Sequence, residues 1–180
     1  MQSCCPAQPR PESRSRLDRA WALLDRVLDP EVPVVSVRDL GIVRDVIEGD
    51  DGGMTVVVTP TYSGCPATEV IEESIVAALE GAGLGPVRVE MRRAPAWTTD
   101  WMSEKGRRQL RDYGIAPPGP VAAPATAPLR FVPRPPPKAL ACPRCESLQT
   151  ERISAFGATA CKALWRCQAC GEPFEHFKPI

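Results

Sequence analysis

A chain of 180 residues in which 22 Lys and Arg balance 22 Asp and Glu has no global field to draw in nucleic acid or anionic lipid. Histidine occurs once, at His176, so a multi-histidine catalytic metal site is excluded and any His-activated nucleophile would depend on that residue. No apolar run is long enough to cross a bilayer and the first ten residues lack a signal-peptide core, which predicts a soluble cytoplasmic protein with reduced thiols and no membrane partner.

Residues 1–14 are polar and Pro-rich and read as a disordered N-terminus. From Ser15, the residues Leu17, Ala20, Trp21, Leu24, Val27 and Leu28 fall on one helical face. Asp29-Pro30 stops that helix, because the residue before proline avoids helical geometry. Ile42 to Glu48 alternates apolar and polar as a strand, Gly49 to Gly53 reads as a hairpin loop, and Met54 to Thr59 is a β-branched second strand. A second helix is predicted over Pro66 to Glu80, with Ile71, Ile75, Ala78 and Leu79 inward and Gly81 or Gly83 ending it. Val87, Val89 and Met91 alternate with Arg88 and Glu90 as a third strand. The expected fold is α+β, a two-helix, three-stranded sandwich over residues 15–113.

Residues 114–138 hold nine of the 21 prolines and read as a stiff linker. Residues 139–180 then form a separate module with strands at Leu148 to Ile153, Lys162 to Arg166 and Pro173 to Phe177. The expected picture is two small domains on a semi-rigid tether.

The tail module carries the strongest motif. Cys142-Pro-Arg-Cys145 and Cys167-Gln-Ala-Cys170 are two Cys-x-x-Cys pairs about twenty residues apart, the pattern of a tetrathiolate metal site. A piece of about 40 residues buries too little apolar surface to fold alone, whereas a structural zinc supplies on the order of 10 kcal/mol. Zinc is the expected metal, with an Fe–S cluster as the alternative. Cys161 reads either as a buried strand residue or as a spare ligand. The module is nearly neutral, which argues against a nucleic-acid ribbon.

Cys65 is the one cysteine between residues 15 and 138. It falls at the start of the second helix, with Pro66 at the favoured first position and Gly64 letting the backbone turn. A thiol there is expected to ionise more readily than a buried structural cysteine. Glu69, Glu72 and Glu73 suit the first helical turns as solvent-facing charges. Trp97 and Trp101, four apart on a connecting segment, suggest docking, onto their own domain or onto a partner; a partner surface is the expectation carried forward.

Taken together these segments resemble a known family. Asp29-Pro30-Glu31, Asp39-Leu40-Gly41 and Thr61-Tyr-Ser-Gly-Cys65-Pro-Ala-Thr68 match the small iron–sulfur assembly domain of SufT-like proteins and cytosolic Fe–S targeting factors. Pro95 to Met102 and Phe156 to Leu164, with the two Cys pairs, narrow the resemblance to the PaaD-like family of bacterial phenylacetyl-CoA epoxidase systems. The resemblance implies a non-catalytic accessory protein that helps mature or insert iron or Fe–S cofactors. Its implied partners are the oxygenase and reductase subunits of that system, and a homodimer is a further expectation. The implied transfer site for transient iron or Fe–S is Cys65 with Asp29, Glu31 and Glu69. A structural or regulatory subunit without cofactor transfer is the alternative.

Overall fold

The computed structural model describes residues 11–62, 64–121 and 140–180. The expectation of disorder over residues 1–10 and most of the Pro-rich segment lie outside them. Helix α1 spans Pro11–Leu24, four residues earlier than the pattern suggested, because proline at the first helical position is already set to helical φ. It also ends earlier. After Leu24 the turn tightens, and Asp29 N donates to Val35 O while Val37 N donates to Val27 O, folding residues 25–37 back on themselves. Leu28 is therefore exposed rather than part of the helical core.

Strands β1 (Val43–Glu48) and β2 (Met54–Val58) form an antiparallel hairpin, and helix α2 (Ala67–Glu80) crosses over to β3 (Val87–Met91), which lies parallel to β2. The sheet order β1-β2-β3 makes β2 central, and its Val56, Val57 and Val58 are all buried. α2 presents Ala67, Ile71, Ile75 and Leu79 to the core. Gly83, at φ 74°, supplies the left-handed residue just beyond its end, where Leu84 N bonds back to Leu79 O.

A short 3-10 turn (Thr99–Trp101) leads into α3 (Glu104–Asp112), a helix that the sequence pattern did not reveal. The Ser103 hydroxyl caps it by accepting from Gly106 N at 2.9 Å. The chain leaves α3 as β4 (Ile115–Ala116) and joins a second sheet with β5 (Thr150–Ser154), β6 (Lys162–Cys167) and β7 (Pro173–Phe177), in the order β4-β7-β6-β5. β4 runs parallel to β7, pairing Ile115 with Glu175 and Ala116 with His176.

That pairing corrects the tethered picture. Ile115 and Ala116 fell within the stretch assigned to a linker, yet both are buried sheet residues. Phe177 packs 6.0 Å, ring to ring, from Trp97, and Thr99 N donates to Ile180 O. Cys161 and Phe177 share one apolar cluster with Leu40, Ile71 and Leu110. The metal-ribbon residues therefore complete the first core instead of hanging from it.

Candidate functional site

The two Cys-x-x-Cys segments fold into matching knuckles. In one, Glu146 N donates to Cys142 O and Cys142 N to Ser147 O; in the other, Gly171 N donates to Cys167 O and Cys167 N to Glu172 O. Each closes on a residue in the left-handed region, Glu146 at φ 60° and Gly171 at φ 78°. Arg144 on the first knuckle pairs with Glu172 on the second.

The four sulfurs of Cys142, Cys145, Cys167 and Cys170 all lie within 4.8 Å of one another, with Cys142–Cys170 at 3.8 Å and Cys145–Cys167 at 3.5 Å. A tetrahedral ion with metal–sulfur bonds of about 2.3 Å needs sulfur separations of about 3.8 Å. The donor set thus fits a single thiophilic metal ion. Backbone amides of Cys170 and Ala169 bring the Cys167 thiol down to about 7. At Cys145 the Ser147 amide works in the same direction, but the Cys167, Cys170 and Cys142 sulfurs outweigh it and push the thiol up to about 12. Four thiolates this close need a cation among them.

A second site lies where the two sheets meet. Residues 29–31, the β2–α2 loop and the residue before β6 border a small pocket of about 30 Å³, lined by Asp29, Glu31, Cys65, Thr68, Cys161 and Phe177 among others. The structure thus brings Cys65, Asp29 and Glu31 together as the resemblance implied. Gly64 takes φ 84°, and an added Cβ there would meet nothing within 4 Å, so the loop turns in open space. Pro66 itself occupies the cap position of α2, which sets Cys65 one residue further from the helix than the sequence suggested.

The two acidic residues of the pocket are not equivalent. Asp29 is buried, and its Oδ1 accepts from the Glu31 and Val32 amides at 2.9 and 2.8 Å. Burial raises its pKa against those two bonds. It holds the turn, and Glu31 is the carboxylate left half-exposed to the pocket. Burial and then Asp29 raise the Glu31 carboxyl above its ordinary range, with Lys162 opposing. Tyr62 stands beside these groups, its phenol pushed up to about 12 by burial and by Cys65 and Glu31.

Glu69 is exposed and lies outside this pocket, on the open groove across Cys65 with Gly64, Glu72 and Arg93. It belongs to an approach to the thiol rather than to the enclosed site. Trp97 is 3% exposed and its Nε1 donates to Leu40 O at 3.1 Å. Trp101 is half-buried with the Arg44 guanidinium stacked 3.6 Å over its ring. Trp97 therefore docks onto its own chain, and the partner-surface expectation is corrected for it: indole area on a connecting segment was equally able to close the core below it. Cys161 is the pocket residue that sequence reasoning did not place, since about a hundred residues separate it from Cys65.

Among the described residues no helix is long and apolar enough to cross a membrane. Comparison with known proteins sets these sites in context. A family profile described as iron–sulfur cluster assembly protein matches residues 17–91, and one described as PaaD zinc beta ribbon domain matches residues 130–178. The chain is 48% identical to an Escherichia coli K12 protein provisionally named as the D component of 1,2-phenylacetyl-CoA epoxidase, over 89% of this chain and 91% of that protein. It is 38% identical to a Porphyromonas gingivalis Fe–S protein maturation auxiliary factor, over 49% of this chain and 84% of that one. A solved domain of unknown function from Bacillus anthracis superposes with a TM-score of 0.50 at 25% identity, covering 54% of this chain and 92% of that chain.

Proposed function

The chain belongs to the family of PaaD-like components of phenylacetyl-CoA epoxidase systems, and on that premise we propose that it is a non-catalytic accessory factor delivering iron or an Fe–S cluster to the oxygenase and reductase subunits of such a system. The observation that carries this reading is the pocket that the Cys65 thiol and the Glu31 carboxylate both line. A half-buried thiol with one carboxylate is a partial ligand set. It suits temporary possession of iron, since a complete shell would retain it. The iron–sulfur assembly profile spans residues 17–91, which include Asp29, Glu31 and Cys65, and this supports the same reading.

The four-cysteine centre has a different task. Four sulfurs within 4.8 Å of one another, with two pairs at 3.5 and 3.8 Å, favour one ion over a polynuclear cluster, and zinc is the ion we assign. Filled in all four positions, it has no place for a substrate and holds the ribbon.

The test is co-expression of the client subunits with wild-type or Cys65→Ser protein, reading iron per client and client activity. The variant is expected to fold normally and to leave the client depleted of iron. Equal iron loading with both proteins would shift the assignment to a structural or regulatory subunit.

A further inference from the structure

Cys161 is the first residue beyond the knuckles to reach the pocket, and how it gets there is specific. β6 runs from Lys162 to Cys167, so one end of the strand enters the metal centre and the other presents Cys161 beside the pocket. Its carbonyl accepts from Lys178 N, and its sulfur lies 3.0 Å from the Thr159 hydroxyl. The residue is 5% exposed, yet it lines the same cavity as Cys65.

We propose that Cys161 is the second thiolate of the transfer site, so that iron is held between Cys65 of the assembly fold and Cys161 of the ribbon, with Glu31 as the carboxylate ligand. This rests on the iron-delivery reading and adds to it a ligand that the family comparisons do not assign. Four observations support it. Two thiols, one from the β2–α2 loop and one from the residue before β6, line one pocket. The charged residues lining it are the carboxylates Asp29 and Glu31, and the nearby Lys162, which acts on both, is paired with Glu175 at 2.7 Å, which leaves an acidic lining that a cation would relieve. Thr159, next to both Glu31 and Cys161, can orient either ligand. Cys65 also lies in the β2–α2 loop next to Gly64, where an added Cβ would meet nothing within 4 Å, so the backbone beside the thiol is not packed in.

The donors do not yet form a closed shell. Among the described residues the four tail cysteines are the group whose donor atoms sit within 4.8 Å of one another. Binding therefore draws Cys65 inward, each thiol releases one proton as it binds iron(II), and the iron stays in its ferrous state. The same strand then links the two sites: the zinc centre anchors β6 and so fixes where Cys161 points.

The experiment uses the full chain with zinc in the four-cysteine centre, titrated anaerobically with iron(II). Wild type is expected to bind one iron, and both Cys161→Ser and Cys65→Ser to weaken binding at least tenfold. X-ray absorption at the iron edge of the wild-type protein gives a reading independent of whether either variant folds. Two sulfur ligands with oxygen completing the shell support the proposal. One sulfur, with binding lost in Cys65→Ser alone, overturns the role of Cys161 and leaves the iron-delivery reading standing. Four sulfurs would place the iron in the knuckles and overturn it as well. No iron bound by wild type would sink both readings.

Discussion

Ser103 holds Asp39 twice, its hydroxyl donating to the Asp39 carboxylate at 2.7 Å and its amide to the Asp39 carbonyl at 2.8 Å. Lys105 Nζ reaches the other carboxylate oxygen at 2.8 Å, and the Ser36 hydroxyl donates to it at 2.9 Å. Burial would raise this carboxyl, but Lys105, Ser103 and Ser36 together hold it below the usual range. Asp39-Leu40-Gly41 is thus the clamp that seats α3 and the 3-10 turn.

Asp39→Ala is expected to lower stability by about 3 kcal/mol, chiefly by orphaning the Ser36 and Ser103 hydroxyls, since the Lys105 ammonium is half in water. Because the folded-state pKa is depressed, the carboxylate's contribution is present at neutral pH and lost as pH falls through that value. Urea midpoints of wild type and variant at neutral pH check the magnitude. A shift under about 0.5 kcal/mol, the size of an ordinary surface substitution, would mean the clamp is idle.

Trp97→Ala is expected to cost about 3–5 kcal/mol, combining lost burial with a cavity beneath Phe177. Trp97→Phe should cost less, about 1–3 kcal/mol, by leaving the Leu40 carbonyl without its donor. Thermal melts of both variants would separate packing from the hydrogen bond.

Metal removal should be felt in the first core. Because Cys161 and Phe177 belong to the cluster that contains Leu40 and Ile71, Cys145→Ser or a strong chelator is expected to raise amide exchange in α2 as well as in β5–β7. Unchanged exchange in α2 with a melted ribbon would restore the tethered picture.

His176 gives a pH signature. Its imidazole is buried against the Trp165 ring and held down to about 4, by burial first and then by Lys178. The unfolded chain binds its proton near 6.5, so stability should be full above that pH and fall as pH drops from about 6.5 to 4, by up to about 3 kcal/mol. Cysteine protonation at the metal centre adds to the acid loss, so the measurement is the difference in pH profile between wild type and His176→Gln. Parallel profiles would exclude His176 as the sensor.

Much of this was legible in the sequence because the signals are local. α2 shows its stripe of Ile71, Ile75 and Leu79, β3 its alternation, and the knuckles their spacing. α3 escaped because its sequence, Glu104 to Asp112, buries only Gly106 and Leu110 and is otherwise charged or polar. Its position is set by Asp39 and by Arg107 reaching the Thr99 and Pro118 carbonyls. Ile115 and Ala116 were hidden by the prolines that follow them. Trp97 and Cys161 carry roles written in tertiary contacts, which no periodicity reports.

One consequence of the β4–β7 pairing concerns the covalent path itself. The Pro-rich segment leaves the second sheet just after β4 and returns to it at Leu140, packed against Ala116 and Trp165. Both of its ends are moored on one sheet, so the halves of the chain are joined by packing as well as by peptide bonds. A single proteolytic nick within residues 122–139 should leave two fragments that still migrate together. The segment's length is therefore free to drift without moving Cys161 away from Cys65.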